Sequence, residues 1–210
     1  MSIAASKICY IVGAGDNRAT SFLPRAGDLV IAADGGLEAL RELGITPHLI
    51  LGDFDSLGYL PQGEGVICHP VRKDDTDLLL ACRQGLEEGY THFCIYGGLG
   101  GERLSHTLAN LQTLRFLAAR GAEGVLYGYG CRVYLLEVGT VSFPADTLGH
   151  LSLLAATEEA VVSVKGASYE GEELHLTGSY PLGVSNSFCG REVTVTVTKG
   201  QIFAIVEEIP

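Results

Sequence analysis

The chain has no tryptophan, a single methionine and few cations: 14 lysines and arginines stand against 25 aspartates and glutamates, a net charge of −11 over 210 residues. That balance excludes an extended nucleic-acid footprint, which needs a basic face. It leaves phosphate ligands open, because bound Mg²⁺ can supply positive charge. No apolar run approaches the ~18 residues of a membrane span. The opening stretch from Met1 to Lys7 lacks the apolar core of a signal peptide, so a soluble, cytoplasmic protein is expected. The six cysteines, Cys9, Cys68, Cys82, Cys94, Cys131 and Cys189, contain no C-x-x-C pair. Most lie in apolar runs, which predicts buried reduced thiols rather than disulfides or a zinc site. The phosphate-binding pattern G-x-x-x-x-G-K-[ST] is also missing, so this is not a P-loop protein.

What is present is punctuation. The 28 glycines fall mainly where apolar segments stop. Residues 7–15 read as a buried strand closing in a G-x-G loop. No third glycine and no helix start follow, so the loop turns the chain near a ligand rather than marking a dinucleotide site. Leu29 to Ala33 is a second strand, ending at Asp34-Gly35-Gly36, and a short helix runs from Leu37 to Leu43. Leu49 to Leu51 is a third strand, breaking into Gly52-Asp53-Phe54-Asp55-Ser56. A fourth strand near Gly65 leads to Asp74-Asp75-Thr76-Asp77. A helix with Leu79, Cys82 and Leu86 on one face follows to Glu88, with Thr76 or Asp75 as its N-cap. His92 to Tyr96 is a fifth strand, before the glycine-rich turn 97–101. The next helix carries Leu104, Leu108, Leu111, Leu114 and Leu117, and reaches about Arg120. A sixth strand begins at Gly124. Alternation of strands and helices predicts a parallel sheet with helices on both faces.

From residue 131 the grammar changes. Short strands occur at 132–138, 149–154, 160–164, 173–176, 191–199 and 201–207, without a helical period. The expected architecture is a three-layer α/β domain over residues 1–130, then a small all-β sandwich over residues 131–210. No internal repeat and no long linker are visible.

In an open parallel sheet, ligands bind at the C-terminal ends of the strands. Those ends carry Asp34, Asp53, Asp55, Asp74, Asp75 and Asp77, then a glycine turn with Arg103 and His106. Each acidic stretch by itself also suits an ordinary turn or a helix cap. Together they would repel one another without a cation. Oxygen-only ligands suit Mg²⁺, which shares its sites with substrate phosphates. A glycine turn before a helix offers N–H groups to a phosphate, and an arginine adds a planar donor fork. The set predicts phosphoryl- or nucleotidyl-type transfer.

The same residues resemble the thiamine pyrophosphokinase family. The matching pieces are Ala33-Asp34-Gly35-Gly36, Gly52-Asp53-Phe54-Asp55-Ser56, Asp74-Asp75-Thr76-Asp77, Arg103-Leu104-Ser105-His106 with Leu108-Ala109-Asn110, and Ser185-Asn186. They occur in the family's order across nearly the whole chain. The resemblance implies transfer of pyrophosphate from ATP to the hydroxyethyl oxygen of thiamine, giving AMP and thiamine diphosphate. It implies Mg²⁺ at Asp53, Asp55 and Asp77, with Asp55, Asp77 and Arg103 catalytic. ATP would meet Asp34, Thr76, Arg103 and His106. It also implies a homodimer in which thiamine lies between the β domain of one subunit and the acidic edge of the other. Ser185 and Asn186 would then contact the pyrimidine. Tyr169 stands where the family usually has a stacking tryptophan, and also suits a plain surface tyrosine.

Two positions depart from the family's pattern. Ser105 stands where R-x-D-H has aspartate, and Glu102 where glycine is common. Two other readings use the same residues. One is a phosphatase forming a phospho-aspartate at Asp53-Phe54-Asp55, for which no obvious lysine follows Lys73 in the first half. The other is a catalytically weakened nucleotide or thiamine sensor, with Ser105 as its mark.

Overall fold

In the computed structural model, residues 6–54, 58–63, 65–70, 74–101 and 103–208 are described. The chain divides into two compact units, Met1–Tyr129 and Gly130–Pro210.

The first unit is a parallel sheet in the order β6-β5-β1-β2-β3-β4. Its strands are β1 (Cys9–Val12), β2 (Leu29–Ala33), β3 (Leu49–Gly52), β4 (Val66–Cys68), β5 (His92–Tyr96) and β6 (Glu123–Gly128). The central strands β1 and β2 are buried at every position, which is why they read as unbroken apolar runs. The helices are α1 (Gly36–Glu42), α2 (Asp77–Glu87) and α3 (Leu104–Ala118). They divide between the two faces. On one, Leu37 and Leu40 of α1 pack with Tyr10, Val12, Val30, Ala32 and Tyr96. On the other, Gly85 of α2 sits against Phe93 and Cys9, and Leu114 and Leu117 of α3 close on Gly124 beside Ile95. The three layers expected from alternation are present.

No helix joins β1 to β2. The connection instead inserts Phe22 into an aromatic stack between Tyr10, at 4.3 Å, and Tyr96, at 5.2 Å. Tyr127 extends the stack at 4.7 Å from Tyr96.

Two helix faces differ from expectation. Of the Leu79–Cys82–Leu86 stripe of α2, Cys82 is buried as expected, while Leu78, Ala81 and Gly85 are buried in place of the half-buried Leu79 and Leu86. Those of α3 are Asn110, Thr113, Leu114 and Leu117, whereas Leu104 and Leu108 are 71% and 54% exposed. Three successive three-residue steps each fall about 60° short of a full turn, so a leucine row spaced this way winds around the helix. The thiols also differ: all six cysteines are free, but Cys68 and Cys189 are exposed and only Cys9 and Cys82 are buried.

The second unit is all antiparallel. Its strands are β7 (Cys131–Leu136), β8 (Gly139–Phe143), β9 (His150–Ala155), β10 (Glu159–Lys165), β11 (Gly171–Thr177), β12 (Gly183–Ser187), β13 (Val193–Lys199) and β14 (Ile202–Glu207). Strands pair as β12-β9-β14-β7 and as β11-β10-β13-β8. One core fills the space between these two layers. Leu151, Leu153, Ile202, Ala204 and Val206 face Val162, Val164, Val193, Val195 and Val197 across it. The alternation Val-Thr-Val-Thr in β13 sends every valine inward. Strands β8 and β12 escape sequence reading because both are largely exposed edge strands with weak apolar patterns. Among the described residues, no helix is long and apolar enough to cross a membrane.

Candidate active site

The C-terminal ends of β1, β2 and β5 and the starts of α2 and α3 enclose one cleft of about 600 Å³, all within the first unit. Its floor is glycine. The Gly13 N–H donates to the Tyr96 carbonyl at 2.8 Å and the Gly15 N–H to the Gly97 carbonyl at 2.9 Å, interlocking the turns after β1 and β5. The approach leaves no room for side chains. A Cβ on Gly97, whose φ is +63°, would lie 2.3 Å from the Gly13 oxygen, and one on Gly15 would lie 2.5 Å from the Gly97 oxygen. Only glycine tolerates both the space and the left-handed backbone.

Side chains then fix the turns. Asn17 donates to the Gly13 and Gly15 carbonyls at 2.8 and 3.2 Å and accepts from the Thr20 hydroxyl at 2.9 Å. From α3, the buried Asn110 amide donates to the Gly98 carbonyl at 2.7 Å, and the Thr107 hydroxyl to the Gly100 carbonyl at 3.3 Å.

The walls bring together five of the expected residues: Asp34, Thr76, Asp77, Arg103 and His106. Asp34 follows β2 with a positive φ of 49°, its N–H bonded to the Leu51 carbonyl at 2.7 Å. Thr76 is the N-cap of α2, its hydroxyl accepting from the Leu79 N–H at 3.2 Å, and Asp77 occupies the first turn. The other cap candidate, Asp75, pairs with Arg83 instead. Arg103 holds the N-cap position of α3 without a side-chain cap bond, and the first turn of α3 carries no acid. That helix start is free to attract an anion.

Asp53 follows β3 and is partly buried, and it is not among the residues lining the cleft. Asp55 and Glu102 lie outside the described residues, as do Ser56 and Lys73. Among the described residues, no three histidine, cysteine or carboxylate side chains converge as a cation cage. The donors at the strand ends are carboxylates, however, few in number and next to the glycine turns of the cleft. That set fits Mg²⁺, which keeps several waters and takes one or two carboxylates beside substrate phosphates.

Tyr169, Ser185 and Asn186 lie in the second unit. Tyr169 is 75% exposed. The Asn186 amide brackets its backbone: Oδ1 accepts from the Tyr169 N–H at 2.9 Å and Nδ2 donates to the Tyr169 carbonyl at 2.6 Å. Ser185 has φ +61°, and its N–H is held by the Ser152 hydroxyl at 3.0 Å. Asn186 therefore fixes the exposed ring's backbone.

Sequence reasoning missed Asp16, Asn17 and Arg18. Asp16 lines the cleft, and its carboxylate is forked by Arg18. The available signal was an acid directly after the G-x-G loop.

Comparison with known proteins finds relatives in sequence and in fold. Residues 23–125 match the family model described as thiamin pyrophosphokinase, catalytic domain. Thiamin pyrophosphokinase 1 of Caenorhabditis elegans is 28% identical over 192 residues, covering 83% of this chain and 77% of that protein. The Bacillus subtilis thiamine pyrophosphokinase is 26% identical over 185 residues, covering 84% and 86%. A crystal structure of thiamine pyrophosphokinase from Bacillus subtilis shares the fold with a TM-score of 0.84 at 23% identity, over 97% of this chain and 100% of that one. The yeast thiamin pyrophosphokinase structure does so at 0.76 and 16% identity, over 98% and 87%. With the ordered motifs and the two-unit α/β-then-β fold, these matches support the thiamin pyrophosphokinase family for this chain.

Proposed function

We propose that the chain is a Mg²⁺-dependent thiamine pyrophosphokinase that transfers pyrophosphate from ATP to thiamine. The observation that carries this reading is the cleft itself, with interlocked glycine turns between the acids of β2 and α2 on one side and Arg103 and His106 on the other. The hydroxyethyl oxygen of thiamine bonds to the β-phosphorus of ATP. The bond from that phosphorus to the α–β bridging oxygen breaks, AMP leaves, and the hydroxyl proton passes to solvent.

Asp53, Asp55 and Asp77 would hold Mg²⁺, whose chemistry is to neutralise the triphosphate and the charge developing on the leaving oxygen. Asp34 and Thr76 frame the acidic side of the cleft. Arg103 offers its fork, and His106 a ring nitrogen, to phosphate oxygens at the start of α3. The backbone N–H groups of the glycine-rich turns add fixed dipoles. Ser105 is no base near neutral pH, so positioning and charge neutralisation carry the reaction, as a loose phosphoryl transition state permits.

Thiamine binds to the second unit, against the exposed Tyr169 ring and beside Ser185 and Asn186. The enzyme is a homodimer in which this surface of one subunit serves the acidic edge of its partner. Six free thiols and ATP as co-substrate suit a cytoplasmic enzyme.

The test is direct. Incubation with ATP, Mg²⁺ and thiamine yields AMP and thiamine diphosphate in equal amounts. Stabilisation by both ligands without AMP release would establish a sensor, and a trapped phospho-aspartate would establish a phosphatase.

A further inference from the structure

Three groups that the proposed chemistry does not use meet at the β6 end of the same sheet edge. Arg18 lies with its guanidinium carbon 4.4 Å from the centroid of the Tyr129 ring, just past β6. Asp16 holds that guanidinium by a fork: Nε donates to both carboxylate oxygens at 3.0 and 3.1 Å, and a terminal nitrogen donates to Oδ2 at 2.5 Å. The ring supports one face of the guanidinium and the fork fixes its plane. The Arg18 side chain remains 68% exposed, against 19% for Asp16.

This is not a loose surface arginine. Its loop is pinned one residue earlier by Asn17 to the Gly13 and Gly15 carbonyls, and four residues later by Phe22 in the Tyr10–Tyr96 stack. Its partner Asp16 lines the cleft. The pairing with Asp16 also decides what the platform suits. A guanidinium already neutralised by a carboxylate has little net charge left for phosphate. Its flat face still stacks on an uncharged planar base.

Strand order supplies the direction. Tyr129 follows β6, the glycine turns follow β5 and β1, and Asp34 and Asp53 follow β2 and β3. From β6 to β2 is three strand spacings, about 14 Å. Resting on the nucleotide-dependent reading above, we propose that Arg18, stacked on Tyr129 and held flat by Asp16, is the base platform of the site. A nucleoside triphosphate then lies across the strand ends, with its base over β6, its phosphates at the glycine turns, and its reacting end toward the acids. Stacking tolerates base identity, so the platform does not select adenine over guanine.

Equilibrium binding to the full chain with Mg²⁺ tests this, using ATP, GTP and the baseless probe tripolyphosphate. Arg18→Ala and Tyr129→Ala are expected to weaken ATP and GTP alike by ~10-fold or more, and tripolyphosphate by less than ~2-fold. Tyr129→Phe keeps the ring and is expected to bind ATP as the native protein does. Asp16→Asn weakens ATP binding when Arg18 is present and adds nothing in the Arg18→Ala background. Tripolyphosphate binding also reports that each variant is folded. Equal loss of ATP and tripolyphosphate in Arg18→Ala would make Arg18 a phosphate cation and overturn the proposal. Unchanged ATP binding in both alanine variants of a protein that binds ATP overturns this inference alone. A native protein that binds neither probe overturns the nucleotide reading as well.

Discussion

Asp16 gives both carboxylate oxygens to Arg18, and the hydrogen bonds from that guanidinium hold its carboxyl down at about 2. The folded value lies below the unfolded one. The pair's stabilisation is therefore complete above the unfolded carboxylate pKa of about 3.9 and is lost as pH falls through the depressed folded value. Carboxyl NMR titration should find the Asp16 midpoint near 2 in the native protein and return it to the ordinary range in Arg18→Ala. An ordinary midpoint in the native protein would contradict the fork. Asp77 is different: it sits in the first turn of α2, facing the cleft. Asp77→Asn, like Asp55→Asn, should lower turnover at least ~100-fold, the scale of a main electrostatic element. Loss of the first-turn acid should change stability by less than ~1 kcal/mol. Near-native turnover in both variants would remove the metal assignment. Ser105 is exposed in the acid-free first turn of α3. Ser105→Asp should change turnover by less than ~10-fold, below the general-base scale, while Arg103→Ala does far more damage. If the native protein is inactive and Ser105→Asp switches it on, the positioning argument fails.

At the scale of elements, the cleft depends on turns that sequence marks only as glycine. Gly97→Ala meets both a left-handed backbone and the Gly13 carbonyl at 2.3 Å. The backbone alone costs about 1–2 kcal/mol, and the clash adds to it. Denaturant unfolding should show at least that loss, together with weaker nucleotide binding. Asn110 was legible in the motif Leu108-Ala109-Asn110, but not its role. Its amide reaches across to Gly98, and the periodicity of α3 pointed to the leucines instead. The strands of the first unit and the start of α2 were readable, because buried apolar runs and a threonine cap are local signals. The buried face of α3 was not, because which side of a helix meets the sheet depends on where the sheet lies. Edge strands β8 and β12 lacked the apolar alternation that makes a strand visible.

At the scale of the whole molecule, the proposed homodimer predicts complementation. An Asp55→Asn protein mixed with an Asn186→Ala protein should recover activity in the heterodimer, provided subunits exchange. Full activity in a species that sediments as a monomer would refute it. The sequence by itself determined the α/β-then-β order, the apolar strands and the row of acids beyond them. Each of these is written in short-range patterns of burial, spacing and turn chemistry. It also carried the ordered motifs of the family. Only the tertiary structure decided that Asp34, Thr76, Asp77, Arg103 and His106 share one cleft, that Asp16 belongs with them, and that Asn186 holds Tyr169. Those relations join residues far apart in the chain, through strand order and hydrogen bonds that no local pattern encodes.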